Sequence, residues 1–373
     1  MQRRRFIRSL ALLASSLALP SRAARGRSGP DCPRGLGRLA AEAGLLYGAA
    51  IAHEAFLDPA YLDLYRRHAR VLTTDVAFKF DWIRPEEEAW DWGYADQIVD
   101  FAAREGFWVR PHVLIWNDPG DLTPDWLKAT PPGKREAVLI EHIHAVIARY
   151  RDRPFIHSWD VVNEPFWPGH GLEGGWRAGP WFEAMGSDYV RVAFEAAHAA
   201  DPSATLVLNE AHTERNDALG RAIRDGLFRL VRDLLDRGVA LGAVGLQGHL
   251  FADPEADPGV YDFAEFAAYA ERLSSLGVDI YITELDVNDE RLVRQGLDAA
   301  IRDRWVARQY RDFLNQVLQV KRVKVVVNWE LADNFSWLRR WEPDVRPLPF
   351  DDEKRPKPAC RAMARAFKGA ARR

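Results

Sequence analysis

The chain has little sulfur to work with. Two cysteines stand among 373 residues, Cys32 and Cys360, and neither has the histidine neighbours or ligand spacing of a metal or nucleophile site. If the fold brings its ends together in an oxidising compartment, the two thiols can join; otherwise they are two free thiols, and both readings stand open. Excess positive charge is also missing. The formal net charge is −3, and five arginines with no acid fall within residues 1–23, so the remainder stands near −8. That balance argues against a nucleic-acid partner and suits an uncharged substrate. Beyond residue 23 no apolar run approaches the ~20 residues of a membrane span. No Ser/Gly linker, low-complexity tract or internal repeat divides the chain, and one domain over 28–373 is the simplest reading.

What is present at the start has the form of a targeting segment. Arg3-Arg4-Arg5-Phe6-Ile7-Arg8 precedes an apolar stretch over 10–19 and then Ser21-Arg22-Ala23, a small-x-small cleavage pattern. Residues 1–27 therefore read as an export signal and short leader. The paired arginines resemble a bacterial twin-arginine signal, which implies export of the folded protein to the periplasm or beyond.

Short apolar runs then alternate with longer periodic stretches. Strands are predicted over 46–51, 71–77, 108–115, 156–162, 205–208, 243–246, 279–283 and 323–329. Helical spacing covers 96–104, 136–150, 189–200, 218–237, 263–276 and 301–319. Eight strand-helix units call for right-handed crossovers and a parallel sheet, and they fit an α/β fold of the (β/α)8 TIM-barrel type. Such barrels place their sites where the strands end. Here the strand ends collect Lys79 and Asp81, His112, Trp116 and Asn117, Asn163 and Glu164, Asn209 and Glu210, Gln247 and His249, Glu284 and Asp286, and Trp329 and Asp333.

Carboxylates, amides and indoles on one rim suit hydrolysis of a glycosidic bond. That reaction needs one carboxylic acid to protonate the leaving oxygen and one carboxylate on the opposite face. Glu164 and Glu284, each at the polar end of an apolar run, are the candidate pair. His249 can bridge Glu284 to Asp286 and hold the nucleophile ionised. Glu164 has few evident donors beside it, which suits a carboxyl kept protonated, and Asp160 is expected to hold a neighbouring loop or tune Glu164. Trp90, Trp92, Trp108, Trp126 and Trp305 are assigned to packing, and His53, His142, His144, His157 and His198 to solvated or helical faces. No metal or other cofactor is expected.

Trp159-Asp160-Val161-Val162-Asn163-Glu164-Pro165, Gly245-Leu246-Gln247-Gly248-His249 and Ile282-Thr283-Glu284-Leu285-Asp286 together resemble glycoside hydrolase family 10, the β-1,4-xylanases. His112 to Trp116, Pro180-Trp181, Asp188-Tyr189, Ser336-Trp337-Leu338 and Lys357-Pro358-Ala359 extend the resemblance over about residues 47–367. It implies Glu164 as acid/base, Glu284 as nucleophile and retention of configuration, with His249 and Asp286 in support. It also implies Lys79, His112, Trp116, Asn163, Gln247, Trp329 and Trp337 around the sugar, Asn163 donating to the 2-hydroxyl. A polysaccharide is then the partner, and a monomer the expected state.

Two departures accompany the resemblance. Where the family usually reads Glu-Asn-Glu-Met-Lys-Trp, this chain reads Asp75-Val76-Ala77-Phe78-Lys79-Phe80, and Asn117 replaces a usual histidine. Val76 has no side-chain donor or acceptor for a sugar hydroxyl. The expectation is an exported endo-acting xylanase. The alternatives are the same mechanism on another β-linked polysaccharide, such as a bacterial exopolysaccharide, and a catalytically silent carbohydrate-binding barrel.

Overall fold

In a computed structural model, which describes residues 32, 35–252 and 260–372, apolar runs become strands buried on both faces, as a parallel sheet requires. They are β1 (Leu46–Ile51), β2 (Val71–Thr74), β3 (Trp108–Arg110), β4 (Ile115–Trp116), β5 (Trp159–Asn163), β6 (Leu206–Glu210), β7 (Ala243–Leu246), β8 (His249–Phe251), β9 (Asp279–Asn288) and β10 (Val323–Asn328). Every pairing is parallel, in the order β3-β2-β1-β10-β9-β7-β6-β5-β4, with β8 beside the end of β9. A parallel bridge from Val109 in β3 to Ile156, just before β5, closes the round of strands into a barrel. The expected eight staves are there, β3 and β4 being two pieces of one and β7 and β8, both paired with β9, two pieces of another. Cys32–Arg373 forms one compact unit.

Four of the helices that cover the sheet begin where the sequence supplies an aspartate. Asp58, Asp217, Asp262 and Asp298 each accept a backbone N–H in the first turn of the helix that follows. The helices pack their apolar faces on the outside of the sheet in one large core. A small separate cluster of Val71, Val207, Ala243, Tyr281, Val325 and Val327 fills the barrel axis. Above it the axis turns polar, with Thr73, Arg110 and Asp160 fully buried.

Several predicted bounds are corrected. The run 108–115 breaks after Arg110, because Pro111 has no N–H to give the ladder. The run 71–77 stops at Thr74, and the strand expected from 156 starts at Trp159. The run 279–283 continues to Asn288, where β8 pairs with it, so Glu284 and Asp286 stand within a strand rather than at its tip. Trp108 is 44% exposed instead of packed. His142, expected on a solvated or helical face, is wholly buried and stacks on Phe80 at 4.0 Å, because its face of the helix Pro132–Tyr150 turns to the core. Asp333 is a buried latch 2.9 Å from Lys357 Nζ, so it does not face the rim.

The thiol question resolves as a disulfide between Cys32 and Cys360, both buried. It ties the segment before the first helix, Leu36–Glu42, to the last helix, Pro358–Gly369. Among the described residues the one group spaced like metal ligands is Cys32, His68 and Cys360, and its two sulfurs are spent on each other. No helix among those residues is long and apolar enough to cross a membrane. The predicted export segment, 1–27, lies outside the described residues.

Candidate active site

Residues at the ends of β5, β6 and β7, at the start of β8 and within β9 converge on two carboxylates. Glu284 projects from β9 and is 4% exposed. Its Oε1 accepts from Asn209 Nδ2 at 2.7 Å, and its Oε2 lies 3.4 Å from His249 Nε2. The other nitrogen of that ring, Nδ1, lies 2.9 Å from Asp286 Oδ1, and Trp337 Nε1 donates to Asp286 Oδ2 at 2.8 Å. Burial works against a charged imidazole, but the two carboxylates outweigh it and raise the affinity of His249 for its proton well above the ordinary value. Both ring nitrogens then donate. Burial likewise pushes the Glu284 carboxyl up, yet the His249 hydrogen bond, the nearby positive charge and Asn209 together bring it down to about 2. Glu284 is a held carboxylate.

Glu164 follows β5 at φ 48°, a left-handed backbone that is uncommon for a glutamate and fits a functional position better than an idle one. Its Oε1 accepts from Gln247 Nε2 at 2.8 Å, and Arg177 Nη2 reaches its Oε2 at 2.5 Å while Arg177 Nε bonds its carbonyl oxygen at 2.8 Å. Asn163 joins the two halves. Its Oδ1 accepts from Asn209 Nδ2 at 2.9 Å and Gln247 Nε2 at 3.3 Å, which orients the amide and leaves its own NH2 to meet a ligand. A chain of four hydrogen bonds, Glu164–Gln247–Asn163–Asn209–Glu284, therefore runs across one opening.

The chain is similar to known proteins over nearly all of this barrel. Residues 35–366 match the family described as "Glycosyl hydrolase family 10". The chain belongs to that family. It is 31% identical over 333 residues to "Beta-1,4-xylanase" of Dictyoglomus thermophilum, covering 84% of this chain and 85% of that one. To "Endo-1,4-beta-xylanase B" of Paenibacillus barcinonensis it is 33% identical over 306 residues, covering 78% and 86%. The crystal structure of TsXylA, an intracellular xylanase from Thermoanaerobacterium saccharolyticum, superposes with a TM-score of 0.76 at 28% identity, covering 90% of this chain and 99% of that one.

Within this family-10 chain the remaining expected residues can be placed. Asp160 does not touch Glu164 but does hold a neighbouring loop, the segment 111–114 between β3 and β4: its N–H donates to Pro111 O at 3.3 Å and its carbonyl accepts from Leu114 N at 3.0 Å. It is wholly buried between Arg110 and His112, accepting from His112 Nδ1 at 2.8 Å, and so fixes that ring from below. His112 meets Trp329 edge to face at 5.4 Å, and Trp337 lies 5.3 Å from His249. Lys79 Nζ stands 5.3 Å over the Trp116 ring, and Trp116 is in register with Asn163. All twelve singled-out residues thus fall on or just beneath one rim.

Three contributors were missed or misjudged. The few donors expected around Glu164 are in fact two strong ones, and Arg177 comes from a glycine-rich insertion with no periodic signal to mark it. Asn117 explains its position: it does not line the opening but donates to Arg177 O at 2.7 Å and accepts from Trp181 N at 3.0 Å, locking that insertion. Asn209 was seen only as a rim residue, whereas it joins Glu284 to Asn163. Behind Glu164, Glu210 is fully buried and accepts from Ala211 N and Phe166 N; burial first, then the Glu164 charge, keep its carboxyl protonated well above the usual range. His212, at φ 58°, rests 5.4 Å from Trp167.

Proposed function

We propose that this chain is an exported, retaining endo-β-1,4-xylanase in which Glu284 is the nucleophile and Glu164 the acid/base. The observation that carries this reading is the asymmetry of the pair. Glu284 is kept ionised by the His249–Asp286 relay, and Glu164 is a second carboxyl reachable from the same opening with its own donors. In the first step Glu164 gives its proton to the departing glycosidic oxygen as Glu284 Oε attacks the anomeric carbon, forming a covalent glycosyl ester. A water then gives its proton to Glu164 and attacks that carbon, releasing Glu284. The Arg177 guanidinium stands against the carboxylate form of Glu164, the state in which the second step begins. Asn163 supplies a donor for the 2-hydroxyl, whose contact strengthens as the ring flattens.

Xylan as substrate is supported by the names of the relatives and by the match of the site residues to the family motif. Export is supported by the buried disulfide, which calls for an oxidising compartment, and by the twin-arginine-like sequence of residues 1–27. The test is steady-state hydrolysis of β-1,4-xylan by the purified protein and by Glu284→Ala. Wild type should release reducing ends at least tenfold faster from xylan than from mixed glucans or an exopolysaccharide. The variant should lose about 10³-fold or more in kcat. A variant that keeps the parent rate removes Glu284 from the chemistry, and a wild type that prefers another polymer removes xylan.

A further inference from the structure

The leaving half of the substrate must pass on the side of Glu164, which protonates the departing oxygen. That side is crowded by Arg177, Trp167 and His212. Around the eight staves β6 stands opposite β1 and β5 opposite β10, with β2 beside β1, so the other half of the sugar chain runs over Lys79 and Trp116 toward the ends of β1 and β2. There Val76 offers no polar atom, and just beyond it three rings gather. His53, after β1, stacks on Tyr94 at 4.1 Å with 24° between planes. Trp82, in the short helix after Lys79, lies 5.8 Å from His53 and 5.6 Å from Tyr94. Tyr94 is 40% exposed, one of only four large apolar or aromatic side chains above the general level of burial among the described residues.

We propose that Tyr94 and Trp82, backed by His53, form a sugar-binding platform on the non-reducing side of the cleft, beyond the second sugar from the bond that is cut. The inference rests on the xylanase reading above. A pyranose presents a face of C–H bonds that packs against an aromatic ring without needing a hydrogen-bond partner, so the platform supplies by contact area what Val76 does not supply by polarity. Its occupant is a continuing pyranose of the same β-linked chain, because the rings lie on the rim that already carries Lys79. The local charges are acidic. Glu54 stands 3.3 Å from His53 Nδ1 and Asp75 precedes Val76, which favours an unsubstituted xylose over one bearing a uronate. Tyr94 opens the helix Gly93–Glu105 with its ring outside the core, so it can be truncated without opening a cavity.

The experiment compares kcat/KM of wild type, Tyr94→Ala, Tyr94→Phe and Trp82→Ala on an aryl β-xylobioside and on reducing-end-labelled xylohexaose, with the cleaved bond identified. For wild type, lengthening the non-reducing side from two to four sugars should raise kcat/KM about fivefold or more. Tyr94→Ala should lose about 5–10-fold on xylohexaose and shift cleavage toward the non-reducing end, with the xylobioside rate unchanged. Tyr94→Phe should keep the wild-type pattern, since the ring remains. Should Tyr94→Ala and Trp82→Ala both cleave xylohexaose like wild type, the platform is wrong and the xylanase reading stands. A wild type inactive on both substrates removes the xylanase reading and the platform with it.

Discussion

Glu284 sits between opposing influences at the scale of a single residue. Burial disfavours its charge, and His249, itself charged only because Glu284 and Asp286 flank it, favours it. Replacing His249 by Gln keeps a donor but removes the charge, so burial then dominates and the Glu284 carboxyl rises from about 2 toward or above the ordinary range. With Glu284 as the proposed nucleophile the carboxylate is the working form, so activity is lost as pH falls through its pKa, and raising that pKa moves the loss to higher pH. The acidic limb of kcat/KM for His249→Gln should therefore move up by about one unit or more, with kcat reduced about 10–100-fold. An unmoved limb would detach His249 from the nucleophile. The same pair makes a stability prediction. Glu284, depressed, stabilises the fold above its ordinary value of 4.5 and loses that as pH falls toward 2. His249, raised, stabilises below its ordinary value of 6.5 and loses that as pH climbs through the folded value. The two overlap between those ordinary values, so the urea midpoint of His249→Gln should fall most between pH ~4.5 and ~6.5.

Strands decide how these residues meet. Gly245 on β7 is in register with Asn209 on β6 and Tyr281 on β9. A Cβ placed there would come 2.2 Å from Asn209 Oδ1 and 2.8 Å from Thr283 Cγ2. Glycine is therefore what lets the Asn209 amide lie across β7, accepting from Thr283 Oγ1 at 2.7 Å and donating to Glu284 and Asn163. Gly245→Ala should push Asn209 aside and lower kcat by about 10²-fold, with the far-ultraviolet spectrum kept. Full activity in that variant would show that Asn209 is not the joint between the two carboxylates. The sequence made the strand-helix beat and most strand starts legible, because two-sided burial writes itself as runs of Val, Ile and Leu. It did not reveal the break at Pro111 as a break, because two short pieces of strand in line look like one apolar run. Nor did it reveal the continuation of β9 past Glu284, because pairing with β8 is a contact between separate segments.

At the scale of the whole barrel, its first described residue, Cys32, is fastened to its last helix. The Cys32–Cys360 bond, 328 residues apart in sequence, holds the first and last helices at the same place on the barrel, where Tyr47 and Phe367 also meet at 5.3 Å. Joining so distant a pair restricts the unfolded chain, an effect worth about 2–5 kcal/mol when a native disulfide is removed. Cys32→Ser should lower the thermal midpoint accordingly and no longer respond to dithiothreitol, while the wild type should fall toward it when reduced. A wild type indifferent to reductant, with two titratable thiols, would remove the bond. The sequence by itself determined the barrel and singled out both glutamates, His249 and Asp286 as the candidate site, since periodicity and motif are properties of neighbouring residues. Tertiary structure alone decided the disulfide, the two donors on Glu164, the seat of Asp160 beneath His112, and the amide chain through Asn209. Each of these is a contact between residues far apart in the chain, set by strand register and loop closure, and no local pattern records it.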